Sequence, residues 1–291
     1  MSRPVAVLVL ILCTALWGLA FISQKTALNH MGPLTFAGMR FGLGTVALLP
    51  FAWAEWRRMN PSLSSNQWFR IAVMTAAFFA GSWLQQAALV TATVTNAGFL
   101  TALYVLFVPV LTFIAIRVKP HPIIYAGAPL ALLGIYFLTG ARFDAFTAGD
   151  GMLLAGAVGW AIQIAMLGPL VKETDLPISI SVITFAGTAV PALAIAAFAE
   201  APSWAGISGG WLEIVYAGIF STAIAFTLQA IGQRHVPAAN SAIILSGESL
   251  FAALAAAIFL HERLPPIGYV GAALIFGAIV MVETVPALRR Q

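Results

Sequence analysis

Two pairs of amide side chains repeat at one spacing inside stretches that are nearly free of charge. Gln85 and Asn96 lie eleven residues apart. Gln229 and Asn240 repeat that spacing further along the chain. Neutral amides both donate and accept hydrogen bonds, so each suits either the binding of a polar solute or the joining of neighbouring helices. Both interpretations stay open for all four; for the two asparagines, which begin their segments, capping or packing at a turn also competes.

Aromatic and polar residues recur at helical spacing around these amides. Residues three, four or seven positions apart share one face of a helix, so several faces would combine rings with neutral hydrogen-bonding groups. That combination suits an amino acid or another flat amphipathic solute. For Trp17 and Trp160, ordinary packing or lipid contact is the competing interpretation. The predicted substrate-binding residues are Trp17, Phe21, Gln24, Phe78, Ser82, Gln85, Asn96, Phe99, Tyr104, Trp160, Gln163, Gln229, Asn240, Ile244 and Glu248.

Glu248 lies about ten residues into an apolar segment. A charge at the centre of a membrane helix costs roughly 2.5–3.5 kcal/mol even on insertion scales. The side chain must therefore face the interior, be protonated or be paired. Glu248 is a candidate for proton coupling, and the alternative is a neutral acid held in a hydrogen bond.

Two cations lie in or beside apolar segments. Arg40 lies about two turns into its segment, where it would snorkel outward, meet a carboxylate of the protein or bind a substrate carboxylate. Of these, a structural role is favoured. Lys25 ends the first apolar segment, where an ordinary interfacial lysine is expected.

The composition identifies the solvent that surrounds the chain. Of the 291 residues, 61% are hydrophobic and 8% are charged, whereas soluble domains carry about 25% charged residues. So few charges cannot cover a surface in water, and a single integral membrane domain in a lipid bilayer is predicted. The net charge of +4 is not gathered in a basic run, so no nucleic-acid partner is expected.

Ten transmembrane helices are predicted, because a span requires about 20 apolar residues. Short connections rich in proline, glycine and asparagine separate them. The expected fold class is therefore an all-α polytopic membrane protein. The first segment is interpreted as a membrane helix, with a cleaved signal peptide as the alternative. The segments are 5–24, 34–54, 71–90, 95–116, 122–139, 151–170, 178–199, 212–232, 238–260 and 266–284.

Lysine and arginine are distributed unevenly between the predicted connections. With a cytoplasmic N-terminus, ten of the fourteen fall on the inner side and three on the outer side. Cytoplasmic loops carry such an excess, so both termini are predicted to face the cytoplasm. Tryptophans 53, 56 and 68 would mark the inner interface, and tryptophans 204 and 211 the outer one. The inner residues are Arg3, Arg57, Arg58, Arg70, Arg117, Lys119, Lys172, Arg234, Arg289 and Arg290; the outer residues are Lys25, Arg142 and Arg263.

A shift of 144 residues relates the two halves of the chain. The shift that carries Gln85 to Gln229 also carries PIIYAG at 122–127 onto PIGYVG at 266–271. Each half would hold five helices, and an odd number makes the second half enter the membrane from the opposite side. Transporters use such inverted repeats to open alternately to the two sides. The predicted repeats are residues 1–145 and 146–291.

Three stretches resemble a known family: LWGLAFISQKTAL from residue 16, FAGMRFGLG from residue 36, and SGESLFAALAAAIFLHERLPPIGYVGAALIFGAIVM from residue 246. Together they resemble the EamA branch of the drug/metabolite transporters, most of all the YddG-type bacterial amino-acid exporters. The resemblance implies a ten-helix transporter of small metabolites in the inner (plasma) membrane. It also adds Lys25 as a second candidate coupling residue. The first half departs from the pattern, because Glu248 falls opposite Tyr104 and Glu262 opposite Val118.

Motifs for other chemistry are missing from the sequence. LHERL is not a zincin motif, GESLF is not a nucleophile elbow, and no P-loop occurs. The histidines at 30, 121, 235 and 261 fall in predicted loops, so neither a metal nor a cofactor is expected. The predicted function is a secondary transporter or facilitator that exports aromatic and other neutral amino acids, as a monomer or homodimer. The alternatives are a channel, a permease for drugs or other metabolites and, least favoured, an intramembrane enzyme.

Overall fold

The computed structural model describes residues 1–92, 94–117, 119–138, 140–141, 147–259 and 266–288. Several residues named above lie outside these ranges: Val118, Arg142, His261, Glu262, Arg263, Arg289 and Arg290. The backbone of Asn96 is described, but its side chain is not.

The described residues form helices and no strands. The helices are α1 (Arg3–Ala27), α2 (Pro33–Met59), α3 (Ser65–Ala88), α4 (Val94–Thr101), α5 (Tyr104–Ile116), α6 (Ile124–Leu138), α7 (Ala148–Thr174), α8 (Pro177–Ala199), α9 (Trp204–Gly209), α10 (Trp211–Val215), a π-helix (Tyr216–Phe226), α11 (Thr227–Gln233), α12 (Ala238–Leu245), α13 (Glu248–Phe259) and α14 (Pro266–Leu288).

Most of the helical segments are long and apolar enough to cross a bilayer. Within the described ranges, eight meet both criteria, and α6 is a shorter apolar helix. Helix α3 has the length, but its sequence carries polar residues at both ends, including SNQ at its start and QQ near its end. The all-helical, polytopic membrane class is therefore supported, while the count of ten spans stays a prediction.

The surface of the bundle is apolar where lipid would surround it. Phe198 is 94% exposed, and other large aliphatic and aromatic side chains point outward along the helices. Among the predicted interface markers, Trp53, Trp68, Trp204 and Trp211 are exposed, whereas Trp56 is partly buried and packs against residues of α3, α7 and α8. A surface of this kind requires an apolar solvent.

Side-chain caps set the starts of α3 and α7 earlier than the apolar pattern predicts. Ser64 accepts from the Gln67 backbone N–H, and the Gln67 side chain accepts from the Ser64 N–H at 2.9 Å. Thr147 and Asp150 form the same reciprocal capping box before α7. Because capping boxes are polar, hydropathy alone begins these helices too late, at 71 and 151.

The helices run between two faces of the bundle. Arg3 donates to the carboxylate of Glu283 at 3.0 Å, which brings the start of α1 and the last turns of α14 to one face, the Arg3 face. At the opposite end of α1, Lys25 Nζ donates to the Leu89 carbonyl at 2.5 Å, next to the end of α3. That end of the bundle is the Lys25 face.

The most extensive contacts join helices from different halves of the chain. Helix α2 packs on α8, α3 packs on α7, and α6 packs on α14. Helix α1 packs on the π-helix, α11 and α13, while α7 also contacts α4 and α5. Between α6 and α14 the backbones meet at Gly134 and Gly271, where any side chain would collide with the partner backbone. Gly134 and Gly271 therefore allow these two helices to pack closely.

Two predicted continuous spans are broken, and this corrects the sequence-based boundaries. Segment 95–116 divides into α4 and α5, and segment 238–260 divides into α12 and α13. The turns lie at 102–103 and 246–247, which are again 144 residues apart.

Tight local hydrogen bonds form at both breaks. The Val105 N–H donates to the Ala102 carbonyl at 3.0 Å, and the Ser249 N–H donates to the Ser246 carbonyl at 3.2 Å. These bonds reach back three residues rather than four, so the axis is interrupted while the backbone stays satisfied. Gly247 is a sequence signal for the second break, but the first break has none.

Two carboxylates tie α2 and α8 together, one at each face. Glu55, near the end of α2, accepts from the Ser179 N–H and hydroxyl, each at 2.7 Å, at the start of α8. Glu200, directly after α8, accepts from the Thr35 N–H at 2.8 Å and its hydroxyl at 2.7 Å, at the start of α2. Each carboxylate therefore satisfies free donors at a helix N-terminus and favourably meets the helix dipole.

Candidate substrate cavity

A narrow cavity of about 40 Å³ lies in the middle of the bundle. Its walls come from α1, α2, α3, α7, the π-helix and α11, together with the ends of α4, α5 and α13 at the two helix breaks. The lining includes nine of the predicted substrate-binding residues, namely Trp17, Phe21, Gln24, Gln85, Tyr104, Trp160, Gln163, Gln229 and Glu248.

Other predicted residues lie near the cavity without lining it. Phe78 belongs to the ring cluster beside it. The Ser82 hydroxyl donates to the Phe79 carbonyl at 3.0 Å on its own helix. Phe99 packs against the cluster around α6 and α14, and Ile244 is fully buried in the main core. The cavity is bounded by a shell of apolar packing in which these side chains lie.

Asn240 lies away from the cavity and holds α14. Its side-chain amide donates to the Val282 carbonyl at 2.9 Å and to the Glu283 carboxylate at 3.0 Å. Of the two interpretations given for this amide, solute binding and the joining of helices, these contacts support the joining of helices. The side chain of Asn96, which corresponds to Asn240 by the 144-residue shift, lies outside the described part of the structure.

Phe226 is the centre of an aromatic cluster at one wall of the cavity. Its ring centroid lies 4.5 Å from that of Trp17, 4.9 Å from that of Phe78 and 5.9 Å from that of Trp160. The Trp160 and Phe226 planes differ by 10°, so these two rings stack. Offset and edge-to-face contacts of this kind bind flat apolar groups well, and a solute ring could exchange with one of them.

The two glutamines related by the 144-residue shift both hydrogen-bond to α7. The Trp160 indole N–H donates to Gln85 Oε1 at 2.8 Å. Gln163 and Gln229 exchange two hydrogen bonds, of 3.1 and 3.2 Å. All four side chains line the cavity, so each amide both joins helices and presents a polar group to the interior.

The π-helix supplies a backbone acceptor to the site. The Trp17 indole N–H donates to the Ser221 carbonyl at 3.0 Å, within the eleven-residue stretch of π-helical bonding. Departures from α-helical bonding shift the backbone carbonyls and are frequent at functional sites. The tryptophans of α1 and α7 are thus fixed differently, one by a backbone carbonyl and the other by Gln85.

Glu248 and Tyr104 meet across the cavity wall. The tyrosine hydroxyl donates to Glu248 Oε1 at 3.2 Å, and both side chains are buried. Each residue begins the second half of a broken helix. The acid therefore has one neutral hydrogen-bond donor, and within the described residues it has no cationic partner.

Lys25 lies apart from the central cavity. Besides the Leu89 carbonyl, its ammonium group donates to the Ala92 carbonyl at 3.3 Å. The side chain also lines a polar cleft of about 560 Å³ at the Lys25 face, which Glu200 and Ser203 border. Its observed contacts hold the end of α3.

The cavity also contains residues that the sequence pattern did not single out as binding groups. Phe226 lies three residues before Gln229, and this helical spacing is a usable sequence signal for it. Arg40 was expected to be structural, while Thr101 and Ser221 carry no distinguishing pattern because helix breaks and π-bonding decide where they point. The added lining residues are Arg40, Thr101, Ile164, Ser221 and Phe226.

Comparison with known protein families identifies the family to which the chain belongs. The model of the EamA-like transporter family matches the chain twice, at residues 4–140 and 147–284. The chain belongs to the EamA-like transporter family. It is a multi-pass membrane transporter. The predicted resemblance to the EamA branch is confirmed, and the YddG-type subtype stays a prediction.

Similar proteins support the same assignment for nearly the whole chain. An uncharacterized transporter of Archaeoglobus fulgidus is 30% identical over 285 residues, which cover 97% of this EamA-like transporter and 87% of the relative. A crystal structure at 18% identity aligns with a TM-score of 0.81 over 98% of this chain and 99% of that one. At that identity the alignment establishes a shared fold.

Proposed function

We propose that this EamA-like transporter exports small amphipathic metabolites, chiefly aromatic and other neutral amino acids, as a secondary transporter or facilitator. The observation that carries the proposal is the central cavity, in which the aromatic cluster around Phe226 lies beside the amides of Gln85, Gln163 and Gln229. Rings bind the apolar part of such a solute, and neutral amides bind its polar part without the cost of burying further charge.

Alternating access through two inverted repeats is the proposed mechanism. It is supported by pairs of features that share the 144-residue shift, including the two helix breaks and the Tyr104–Glu248 contact. The reciprocal caps at Glu55 and Glu200 are related by nearly the same shift and lie at opposite faces. Broken helices at the interface of two repeats are a common way to form a transporter site.

The proposed orientation places the Arg3 face in the cytoplasm and the protein in the inner membrane. The lysine and arginine excess supports it, and the Arg3–Glu283 contact supports a common side for both ends of the chain.

The size of the cavity bears on the mechanism. A volume of about 40 Å³ holds a few water molecules, which is far less than an aromatic amino acid occupies. Binding therefore requires the stacked rings to separate and the helices to move. This requirement favours a carrier that changes conformation over a permanently open channel.

Counterflow in liposomes tests the proposed function. Purified protein is reconstituted into vesicles loaded with unlabelled phenylalanine, and the uptake of labelled phenylalanine, tryptophan, threonine and methionine is followed. We expect saturable uptake that internal substrate accelerates. Large unsaturable flux would indicate a channel, chemical conversion would indicate an enzyme, and inactivity toward every amino acid would contradict the substrate class.

Two buried amides provide a matched pair of variants for this assay. Gln229→Leu removes an amide that lines the cavity, whereas Asn240→Leu removes one that only holds α14. We expect the first to raise the half-saturating concentration about tenfold and the second to leave it unchanged. Equal effects of both would indicate that the amides serve packing alone.

A further inference from the structure

Arg40 is a buried cation that has no anionic partner among the residues that the structure describes. Its residue is 5% exposed and lies in α2, one of the helices apolar enough to span the bilayer. Its guanidinium carbon lies 4.5 Å from the ring centroid of Phe41 and 5.9 Å from that of Phe36. Among the described residues, nothing accepts a hydrogen bond from it, and its buried Nε has no partner.

The neighbouring rings satisfy only part of what a guanidinium needs. A ring face attracts the positive charge, but it does not replace hydrogen-bond acceptors for the five N–H groups. A buried charge without full compensation is costly, and inside a membrane such residues usually mark a functional site. Within the described part of the chain, no acidic or carbonyl oxygen is hydrogen-bonded to Arg40, and its side chain lines the cavity.

The other described arginines with close contacts differ from Arg40. Arg3, Arg70 and Arg234 form ion pairs with Glu283, Glu173 and Asp175, near the ends of their helices. Arg57 stacks on the Trp53 ring at 4.2 Å, but it lies on the exposed end of α2. Burial beside the cavity without an acceptor sets Arg40 apart within this group.

We propose that Arg40 binds the carboxylate of the transported solute. A planar guanidinium fork matches the two oxygens of a carboxylate and forms strong, directional hydrogen bonds with it. The described lining contains one cation, Arg40, and one acid, Glu248, which suits a solute with one negative group better than a dianion. The inference rests on the proposed function, and it specifies the group by which the substrate is recognised.

The position of Arg40 next to the aromatic cluster agrees with a role in binding the solute carboxylate. Phe41, which follows Arg40 in α2, contacts Phe78 and Phe226 at centroid distances of 5.1 and 6.5 Å. The guanidinium therefore lies next to the aromatic cluster proposed to take the apolar part of the solute. A carboxylate and a ring on one small molecule would reach Arg40 and the Phe226 cluster together.

The test compares phenylalanine with phenylalaninamide, which keeps the ring and the amine but lacks the carboxylate. Binding to the purified protein is measured by titration calorimetry, and competition is measured in phenylalanine counterflow. We expect the wild-type protein to prefer the acid by at least about tenfold, as a charged hydrogen-bonded contact provides. Arg40→Gln should reduce that preference to about twofold or less.

Two further variants separate recognition from folding. Arg57→Gln removes another arginine that stacks on an aromatic ring of the same helix, and it should leave the acid preference unchanged. Arg40→Lys keeps the charge without the planar fork and should retain an intermediate preference. Thermal unfolding of each variant identifies any that is not folded. If Arg40→Gln does not fold, the acid preferences of the wild-type protein and of Arg40→Lys decide whether Arg40 binds the carboxylate.

The outcomes separate the two proposals. A folded Arg40→Gln protein that keeps the wild-type acid preference would overturn the role of Arg40, as would a wild-type protein that prefers neither compound. Acid binding that depends on Arg40 without any counterflow would instead contradict the proposed transport and leave the binding role standing. Amino-acid counterflow with unchanged selectivity in Arg40→Gln would retain transport and reject the binding role.

Discussion

Tyr104 and Glu248 lie 144 residues apart, at corresponding positions of the two predicted repeats, and hydrogen-bond to each other. These positions thus hold different chemical groups, a hydroxyl that donates the hydrogen bond and a carboxyl group that accepts it. Inside a membrane, an acid that carries its charge needs a partner, and the tyrosine supplies only a neutral one. Such an arrangement suits a group that is protonated in part of the transport cycle.

We expect Glu248→Gln to abolish the dependence of transport on external pH. Glutamine has nearly the same shape and can still accept from Tyr104, but it does not exchange a proton. Transport is measured in proteoliposomes over a range of external pH. Tyr104→Phe is the matched control, because it removes the same hydrogen bond while keeping the acid, and its transport should still vary with pH. An unchanged pH profile in Glu248→Gln would rule out proton coupling through this residue.

Helical spacing was informative for side chains on uninterrupted helices. Trp160 and Gln163 were expected on one face, and they lie together in the cavity because α7 is continuous there. Asn240, Ile244 and Glu248 are spaced four residues apart, which predicts one face of a continuous helix, yet the break at 246–247 separates the first two from Glu248. For Arg40 the sequence favoured a structural role over substrate binding, because whether an acceptor faces the guanidinium depends on several helices, which a single sequence does not reveal.

At the scale of elements, hydropathy located the helical segments because the requirement for about 20 apolar residues is strong. It did not locate the breaks in the fourth and ninth predicted segments, since local hydrogen bonds and packing compensate for them. It also gave no sign that Glu55 and Glu200 bind helix N-termini. Both residues lie near polar connections, where an acid is ordinarily solvated.

We expect Glu55→Gln to lower the free energy of unfolding by about 1–3 kcal/mol, because it removes the charge from buried hydrogen bonds to a helix N-terminus. Glu200→Gln should cost less, since Glu200 is less buried than Glu55. Thermal or denaturant unfolding in detergent provides the measurement. Glu213→Gln is the control, because Glu213 accepts no hydrogen bond among the described residues. Equal stability of Glu55→Gln and this control would show that the cap contributes nothing.

For the whole molecule, the shift of 144 residues predicted which positions correspond, but not which helices touch. In the structure, α2 and α8 contact each other, as do α6 and α14. Each of these pairs joins corresponding segments of the two predicted repeats, as expected if a two-fold axis relates them. The contacts of α1 with the π-helix and α11 similarly correspond to those of α7 with α3. Exchanging the two predicted halves therefore preserves the packing pattern, which supports the proposed alternating access.

The reciprocal caps make this symmetry testable. Glu200 joins α2 and α8 at the Lys25 face, and Glu55 joins them at the Arg3 face. Under alternating access, weakening the connection at one face should favour opening there, since the opposite connection remains intact. The cavity residue Ser221 provides a reporter, because its side chain is almost fully buried.

Ser221→Cys is introduced after Cys13, the one native cysteine, is replaced by alanine. A membrane-impermeant maleimide is then added to right-side-out and to inside-out vesicles. We expect Glu200→Gln to raise labelling from the Lys25 face and Glu55→Gln to raise it from the Arg3 face. A cysteine at exposed Ser208 controls for reagent access and should label equally in every background. Increased labelling from the same face in both glutamate variants would contradict two gates related by the repeat, because loosening either cap would then open a single entrance.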